Sequence, residues 1–90
     1  MFKLNKAIHN RRQDEYQLYI CGLPLDIDNR YLYNFFSRRY YSIISAKIIT
    51  DNYRYSKGYG FVKFSDIEEY EDALVNMNGI YMRNRQIRVK

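Results

Sequence analysis

Hydrophobic residues recur with two different periods along residues 16–90, and the order of these periods restricts the fold more than any other feature. A period of two is typical of a β-strand, whereas spacings of three and four are typical of an amphipathic helix. The strand pattern occurs at residues 18–22, 44–49, 59–64 and 87–89, and the helix pattern near residues 28–38 and 67–77. The predicted order of elements is therefore βαββαβ.

The two predicted helices have recognisable ends. Asp28 is a good N-cap for the first helix, and Ser65 or Asp66 caps the second. The second helix closes at Asn78-Gly79, because glycine adopts the left-handed conformation without strain. Asn84 is predicted as a turn residue, since asparagine also tolerates a positive φ. The apolar positions of the two helices are Leu32, Phe35, Phe36 and Tyr40, then Ile67, Tyr70, Ala73, Leu74 and Met77.

Each predicted strand has one apolar face for the two helices to cover. In the second strand Ile44, Ala46 and Ile48 alternate with Ser45, Lys47 and Ile49. Both helices must then pack on one face of a single sheet. The sequence predicts an α+β fold, a ferredoxin-like βαββαβ sandwich with a four-stranded antiparallel sheet and two helices on one face. Residues 16–90 form this domain, and residues 1–15 are a basic N-terminal linker or tail.

The face of the sheet that the helices leave open is predicted to have exposed aromatic and basic side chains. It carries Tyr19 and Cys21 from the first strand, and Tyr59, Phe61 and Lys63 from the third. These two strands are central neighbours in this topology, so three aromatic rings stand side by side. Exposed rings suggest a ligand, and a ring can stack on a nucleic-acid base with about 1–3 kcal/mol per base. The surrounding cations Lys57, Lys63, Arg88 and Lys90 can contact phosphates.

The net charge indicates a polyanionic partner, and the low cysteine content indicates a reducing, intracellular compartment. The formal net charge is +5 and the isoelectric point about 9.4, which favours nucleic acid or an anionic membrane. No apolar run reaches the length of a membrane span, so a membrane partner is not expected. The single cysteine, Cys21, excludes an intramolecular disulfide and a cysteine-rich metal site. We expect no cofactor and no bound metal.

Two short motifs resemble those of the RNA recognition motif (RRM) family. The octapeptide from Lys57 to Phe64, KGYGFVKF, matches every position of the family's octapeptide signature. The hexapeptide from Leu18 to Leu23, LYICGL, resembles the companion motif, and both lie on the expected strands. The resemblance covers about residues 17–90 and implies a monomeric domain that binds single-stranded RNA. The implied role is in pre-mRNA splicing or other RNA processing, in the nucleus rather than the cytoplasm.

The resemblance also implies roles for individual residues. Tyr19 and Phe61 should each stack under one base, Tyr59 should lie against the sugars between them, and Lys57 should pair with the RNA backbone. Two positions depart from the family pattern, because Gly22 replaces a frequent Asn or Asp and Tyr70 replaces a frequent Ala. The predicted RNA-binding residues are Tyr19, Cys21, Lys47, Lys57, Tyr59, Phe61, Lys63, Gln86, Arg88 and Lys90.

Two other functional classes are open to a chain of this topology. Some RRM-like domains are protein–protein interaction modules, but those usually lack the octapeptide aromatics that this chain has. Acyl-phosphate hydrolases share the topology, but they need an arginine and an anion cradle that the loop from Gly22 to Asp26 does not contain. The acidic residues between Asp66 and Asp72 are expected to form a solvated helix face rather than a catalytic pair. No enzymatic activity is predicted.

The N-terminal segment resembles the junction between two RRM domains. Residues 2–7 alternate apolar and polar side chains, as the last strand of a preceding domain would, and a basic stretch with Arg11-Arg12 follows. The join resembles the junction before the second domain in the TIA-like splicing regulators and the selenocysteine-tRNA-associated group. An adjacent RRM domain is therefore an expected partner, because linking two sites raises their combined affinity. The alternative is a simple basic tail.

Overall fold

The computed structural model describes residues 15–90, so the predictions about residues 1–14 lie outside the described residues. Four strands pair antiparallel in the order β2-β3-β1-β6, and β4 pairs with β5 in a separate hairpin. The predicted ferredoxin-like arrangement is confirmed, with the short hairpin as an addition. The elements are β1 Tyr16–Cys21, α1 Asn29–Ser37, β2 Ile43–Thr50, β3 Ser56–Phe64, α2 Ile67–Asn76, β4 Tyr81–Met82, β5 Arg85–Gln86 and β6 Arg88–Val89.

The hydrophobic core lies between the inner face of the sheet and the two helices. Alternate residues of the central strands are fully buried, as the strand period requires. They meet buried residues from one face of each helix, so that both helices cover the same side of the sheet. The core includes Leu18 and Ile20 of β1, Val62 and Phe64 of β3, Leu32 and Phe36 of α1, and Ala73 of α2 with Met77 just after it. Neither helix is long and apolar enough to cross a membrane, among the residues described.

Both helices begin at capping aspartates. Asp28 Oδ1 accepts a hydrogen bond from the Tyr31 backbone N–H at 2.8 Å, and Asp66 Oδ2 accepts one from Glu69 N–H at 3.2 Å. Each carboxylate satisfies a donor that has no partner inside the first helical turn. Asp66, rather than Ser65, is therefore the cap of α2. After α2, Gly79 adopts a φ of 89°, which agrees with the predicted helix end.

Two side chains of the predicted elements were assigned to the wrong face. A bulge between Ile43 and Ser45 puts Ile43 into the core and leaves Ile44 46% exposed. At the start of α2 Ile67 is 45% exposed, so it does not belong to the apolar face. Asn84 lies in the turn between β4 and β5, as predicted, but the residue with the positive φ in this turn is Arg83, at 58°.

Gly60 allows β2 and β3 to approach each other. A Cβ atom at this position would lie 2.3 Å from the carbonyl oxygen of Lys47 and 3.0 Å from Cα of Ile48, both on the neighbouring strand. Real side chains do not tolerate such a contact with backbone, so a larger residue would push the two strands apart. The second glycine of the octapeptide therefore holds β2 close enough to align Lys47 with Phe61.

Candidate nucleic-acid interface

The register between β1 and β3 brings the predicted aromatic residues together. Tyr19 pairs directly with Phe61, and Cys21 pairs with Tyr59. Their sequence neighbours Leu18, Ile20 and Val62 are buried on the opposite face. Because successive residues of a strand point to opposite sides, Tyr19, Tyr59 and Phe61 share the face that the helices do not cover. We call these three residues the aromatic platform.

The rings of the platform touch one another without stacking face to face. The Tyr19 centroid lies 5.6 Å from that of Tyr59 and 5.6 Å from that of Phe61, with interplanar angles of 45° and 57°. Tyr59 and Phe61 are 6.4 Å apart and nearly perpendicular. Tilted contacts of this kind suit the aromatic quadrupole. All three side chains are partly exposed, so flat ligands can reach ring surface from the solvent side.

The neighbouring strands extend the platform into rows across the sheet. Lys47 of β2 lies opposite Phe61, which in turn lies opposite Tyr19. Tyr19 exchanges two backbone hydrogen bonds with Lys90, of 2.8 and 2.9 Å, so this lysine completes the row beyond the last strand. In the next row Arg88 of β6 lies opposite Cys21. Exposed cations therefore flank the aromatic rings on both edges of the sheet.

Two lysines near the platform already have partners. The Lys90 ammonium lies 5.8 Å from the Tyr19 ring centroid, within the range of a cation–π contact. Lys63 is 3.5 Å from the Glu15 carboxylate, and both side chains are partly exposed. Lys57 stands exposed at the start of β3, beside Gly58 with its φ of 83°. A phosphate could approach Lys57 without displacing a carboxylate seen among the described residues.

Gln86 lies apart from the other predicted residues. Sequence reasoning assigned it to the last strand of the sheet, next to Arg88 and Lys90. In the structure it belongs to β5 of the separate hairpin, and its side-chain amide donates a 2.8 Å hydrogen bond to the Gly79 carbonyl. The structure thus brings together Tyr19, Cys21, Lys47, Tyr59, Phe61, Lys63, Arg88 and Lys90, places Lys57 at the end of β3, and holds Gln86 in the hairpin.

The sequence analysis missed Glu15 as a residue of this face. It was assigned to the linker, yet its carboxylate contacts Lys63 beside the platform. The loop between β2 and β3 adds two further exposed aromatics, Tyr53 and Tyr55, whose backbone N–H groups both bond to the Asp51 carboxylate. Alternation along Glu15, Gln17 and Tyr19 could have placed Glu15 on this face, but its contact with Lys63 depends on the register between β1 and β3.

Comparison with known proteins identifies related domains. The family model described as RNA recognition motif matches residues 18–88. Polyadenylate-binding protein RBP47B of Arabidopsis thaliana is 47% identical over 73 residues, which are 80% of this chain and 17% of that protein. The chain spans about a fifth of the length of the curated relatives it matches. These relatives are RNA-binding proteins.

Solved structures of RNA-binding domains share the fold. RNA recognition domains 1 and 2 of Sex-lethal from Drosophila melanogaster match with a TM-score of 0.74 and 33% identity, over 82% of this chain and 47% of that one. The first two RRM domains of the yeast poly(U)-binding protein Pub1 match with a TM-score of 0.79 and 25% identity, over 100% of this chain and 53% of that one. The structure of Sex-lethal in complex with RNA also matches this chain, with a TM-score of 0.75.

Proposed function

This chain belongs to the RNA recognition motif family, and from that membership we propose that it binds single-stranded RNA on the aromatic platform. One base stacks on Tyr19, the next stacks on Phe61, and Tyr59 lies against the sugars between them. The observation that carries this proposal is the direct pairing of Tyr19 with Phe61, with centroids 5.6 Å apart on the open face. Single strands expose the base faces that such rings require, whereas a duplex does not.

The cations around the platform supply the part of the affinity that does not depend on sequence. Lys47 and Lys90 lie at the two ends of the row through Phe61 and Tyr19, and Arg88 lies beside Cys21. We propose that these residues and Lys57 contact phosphates or base edges as the strand crosses the sheet. Bound counterions leave the RNA when such contacts form, so affinity falls with added salt.

We further propose a nuclear role in pre-mRNA splicing or another step of RNA processing. The support is the resemblance of the N-terminal junction to that of the TIA-like splicing regulators, together with relatives described as polyadenylate-binding and poly(U)-binding. Adenine- or uridine-rich single strands are accordingly the first ligands to test. Residues 16–90 are proposed as the binding domain, with residues 1–15 as a basic linker to an adjacent RRM domain. Two-domain relatives, of which this chain covers about half, support that arrangement.

A titration with labelled RNA tests the proposed function. The protein is mixed with a single-stranded RNA of mixed sequence and, separately, with the same RNA as a duplex, at two salt concentrations. We expect tighter binding of the single strand, and a plot of log affinity against log salt with a slope of about −0.7 per phosphate contact. Lys57→Ala should make that slope shallower.

Either of two outcomes would contradict the proposal. Equal affinity for the single strand and the duplex would show that the aromatic rings do not stack on exposed bases. An affinity indifferent to salt would exclude the phosphate contacts and favour the protein-interaction function.

A further inference from the structure

One cation on the open face differs from its neighbours. Lys63 follows Phe61 by two residues and shares its side of β3. Its ammonium lies 3.5 Å from the Glu15 carboxylate, which is the single ion pair on this face among the described residues. The other described ion pair joins Arg83 to Asp26, between the β4–β5 turn and the loop that follows β1. Lys63 is therefore the lysine of the open face that a phosphate can reach only in competition with a carboxylate.

The position of this pair marks one boundary of the binding surface. Lys63 lies opposite Gln17 on β1 and opposite Ser45 on β2. Both neighbours are uncharged, so this row has one cation, in contrast to the row with Lys47 and Lys90 at its two ends. A phosphate beyond Phe61 on this side meets Lys63 and Glu15 together, and the negative charge of Glu15 offsets the positive charge of Lys63.

The exposure of both groups indicates that the pair contributes little to folding. The side chains of Lys63 and Glu15 are 40% and 48% exposed. Ion pairs this exposed stabilise a protein by at most about 1 kcal/mol, because water and salt screen them. The same screening leaves either partner free to exchange for another charge. A phosphate oxygen can thus replace the carboxylate of Glu15 without breaking a buried contact.

We propose that Glu15 reduces RNA affinity at the Lys63 end of the platform and thereby limits how far the strand is held beyond Phe61. This inference rests on the proposed function, since it assigns a regulating residue to the same site. Glu15 is a positioning residue in this role, because it acts through Lys63. Neutralising Glu15 frees the Lys63 ammonium for one additional phosphate contact.

The test is a double-mutant cycle measured on RNA binding. Glu15→Gln, Lys63→Gln and the double variant are titrated with the same labelled single strand at low and physiological salt. Glu71→Gln is the matched control, because Glu71 is an exposed residue of α2 and its change alters the net charge equally. We expect Glu15→Gln to bind about two to five times more tightly than this control. Its slope against salt should be steeper by about 0.7.

The cycle separates the proposed role from a general charge effect. In the wild type Lys63→Gln should change affinity little, whereas in the Glu15→Gln background it should remove the whole gain. Additive effects of the two substitutions, or equal affinities of Glu15→Gln and Glu71→Gln, would overturn the proposal. Thermal melting of each variant checks that the fold is unchanged.

Phe61→Ala is measured in the same experiment. It distinguishes a failure of the proposed role of Glu15 from a failure of the proposed function. If Phe61→Ala weakens binding while Glu15→Gln behaves like the control, only the role of Glu15 is rejected. If Phe61→Ala binds RNA as well as the wild type, the platform is not the binding site and both proposals are rejected.

Discussion

Adjacent residues of β1 and β3 face opposite sides of the sheet and therefore contribute to different properties of the domain. Leu18 and Val62 are completely buried and hold the sheet to the helices, whereas Tyr19 and Phe61 face the solvent side. A substitution at a buried position leaves a cavity and costs stability directly. A substitution on the open face removes stacking surface while the core stays intact. Folding and the proposed RNA binding should thus respond independently to substitutions at neighbouring positions.

Loss of a platform ring should therefore reduce binding more than stability. We expect Tyr19→Ala and Phe61→Ala each to weaken RNA binding by about 1–3 kcal/mol, the energy of stacking one base. Tyr41→Ala is the matched control, since this tyrosine side chain is 98% exposed and lies in the α1–β2 loop, which bonds to α2. Affinity and melting temperature are measured for all three variants. Folded platform variants with wild-type affinity would contradict the stacking model.

The two departures from the family pattern have physical explanations. Gly22 adopts a φ of 75°, a conformation that glycine, asparagine and aspartate tolerate better than other residues. A Cβ atom at this position would lie 3.0 Å from the backbone carbonyl oxygen of Gln86, so glycine also avoids a tight contact there. Tyr70 is partly buried and packs between Tyr16, at 5.7 Å, and Phe64, at 6.1 Å. A larger ring than the usual alanine is accommodated by an aromatic cluster.

At the scale of elements, the acidic residues of α2 bind the neighbouring loop. Sequence analysis interpreted them as a solvated face, which fits Glu68 and Glu71. Glu69 instead accepts hydrogen bonds from the backbone N–H groups of Tyr41 and Ser42. Burial of this carboxyl group opposes ionisation, but the bonds from Ser42 and Tyr41 outweigh it and lower the pKa of Glu69. The helix thereby holds the α1–β2 loop in place.

A second contact of α2 should make stability depend on pH. The buried Tyr40 hydroxyl donates a 2.6 Å hydrogen bond to Asp72, which lowers the pKa of the Asp72 carboxyl below its ordinary value of 3.8. Burial, followed by the bond to Asp72, raises the pKa of the Tyr40 hydroxyl above its ordinary value of 10.0. Because the carboxyl pKa is lower in the folded protein, ionised Asp72 stabilises the fold at pH values above the ordinary pKa. This stabilisation is lost as the pH falls through the folded-state pKa.

Tyr40→Phe should remove this dependence. We expect the variant to melt a few degrees below the wild type at neutral pH, and the difference to shrink as Asp72 becomes protonated in acid. Tyr33→Phe is the control, because the Tyr33 hydroxyl makes no hydrogen bond among the described residues of the chain. Melting temperatures are recorded from about pH 7 to about pH 2. A constant difference across this range would contradict the assigned role of the Asp72 bond.

At the scale of the whole molecule, the charges nearest the platform are opposite in sign to those of α2. Cations flank the platform on the open face, whereas the acids of α2 lie on the helical side with the loop they bind. The cations of the open face attract RNA, and the acids of α2 repel it from the surface of that helix. Net charge alone could not predict this orientation, because it depends on which side of the sheet each residue occupies.

The described domain should also be stable without the N-terminal segment. Residues 15–90 contain all four strands of the sheet and the core between sheet and helices. Deleting residues 1–12 should therefore leave the melting temperature nearly unchanged. RNA binding should weaken modestly, since Lys3, Lys6, Arg11 and Arg12 are lost. Melting and titration of the shortened chain provide the measurement. A large drop in melting temperature would contradict the proposed linker.

The sequence alone determined the order of the two helices and the four strands of the main sheet, and which aromatic residues share the open face. Strand alternation predicts which side chains share a face. It separates Leu18 and Val62 from Tyr19 and Phe61 without knowledge of any partner strand. The cap at Asp28 likewise depends on residues within one turn. These features are local, so a short stretch of chain contains the information needed to predict them.

Only the tertiary structure decided the contacts between distant segments. The bulge after Ile43, the hairpin that takes Gln86 out of the sheet, and the approach of Glu15 to Lys63 all depend on strand register. Register is set by how the whole core packs, and a shift of one residue would reverse every side chain of a strand. The side chains of the open face could therefore be predicted from the sequence, whereas the pairing of its charged groups depended on the fold.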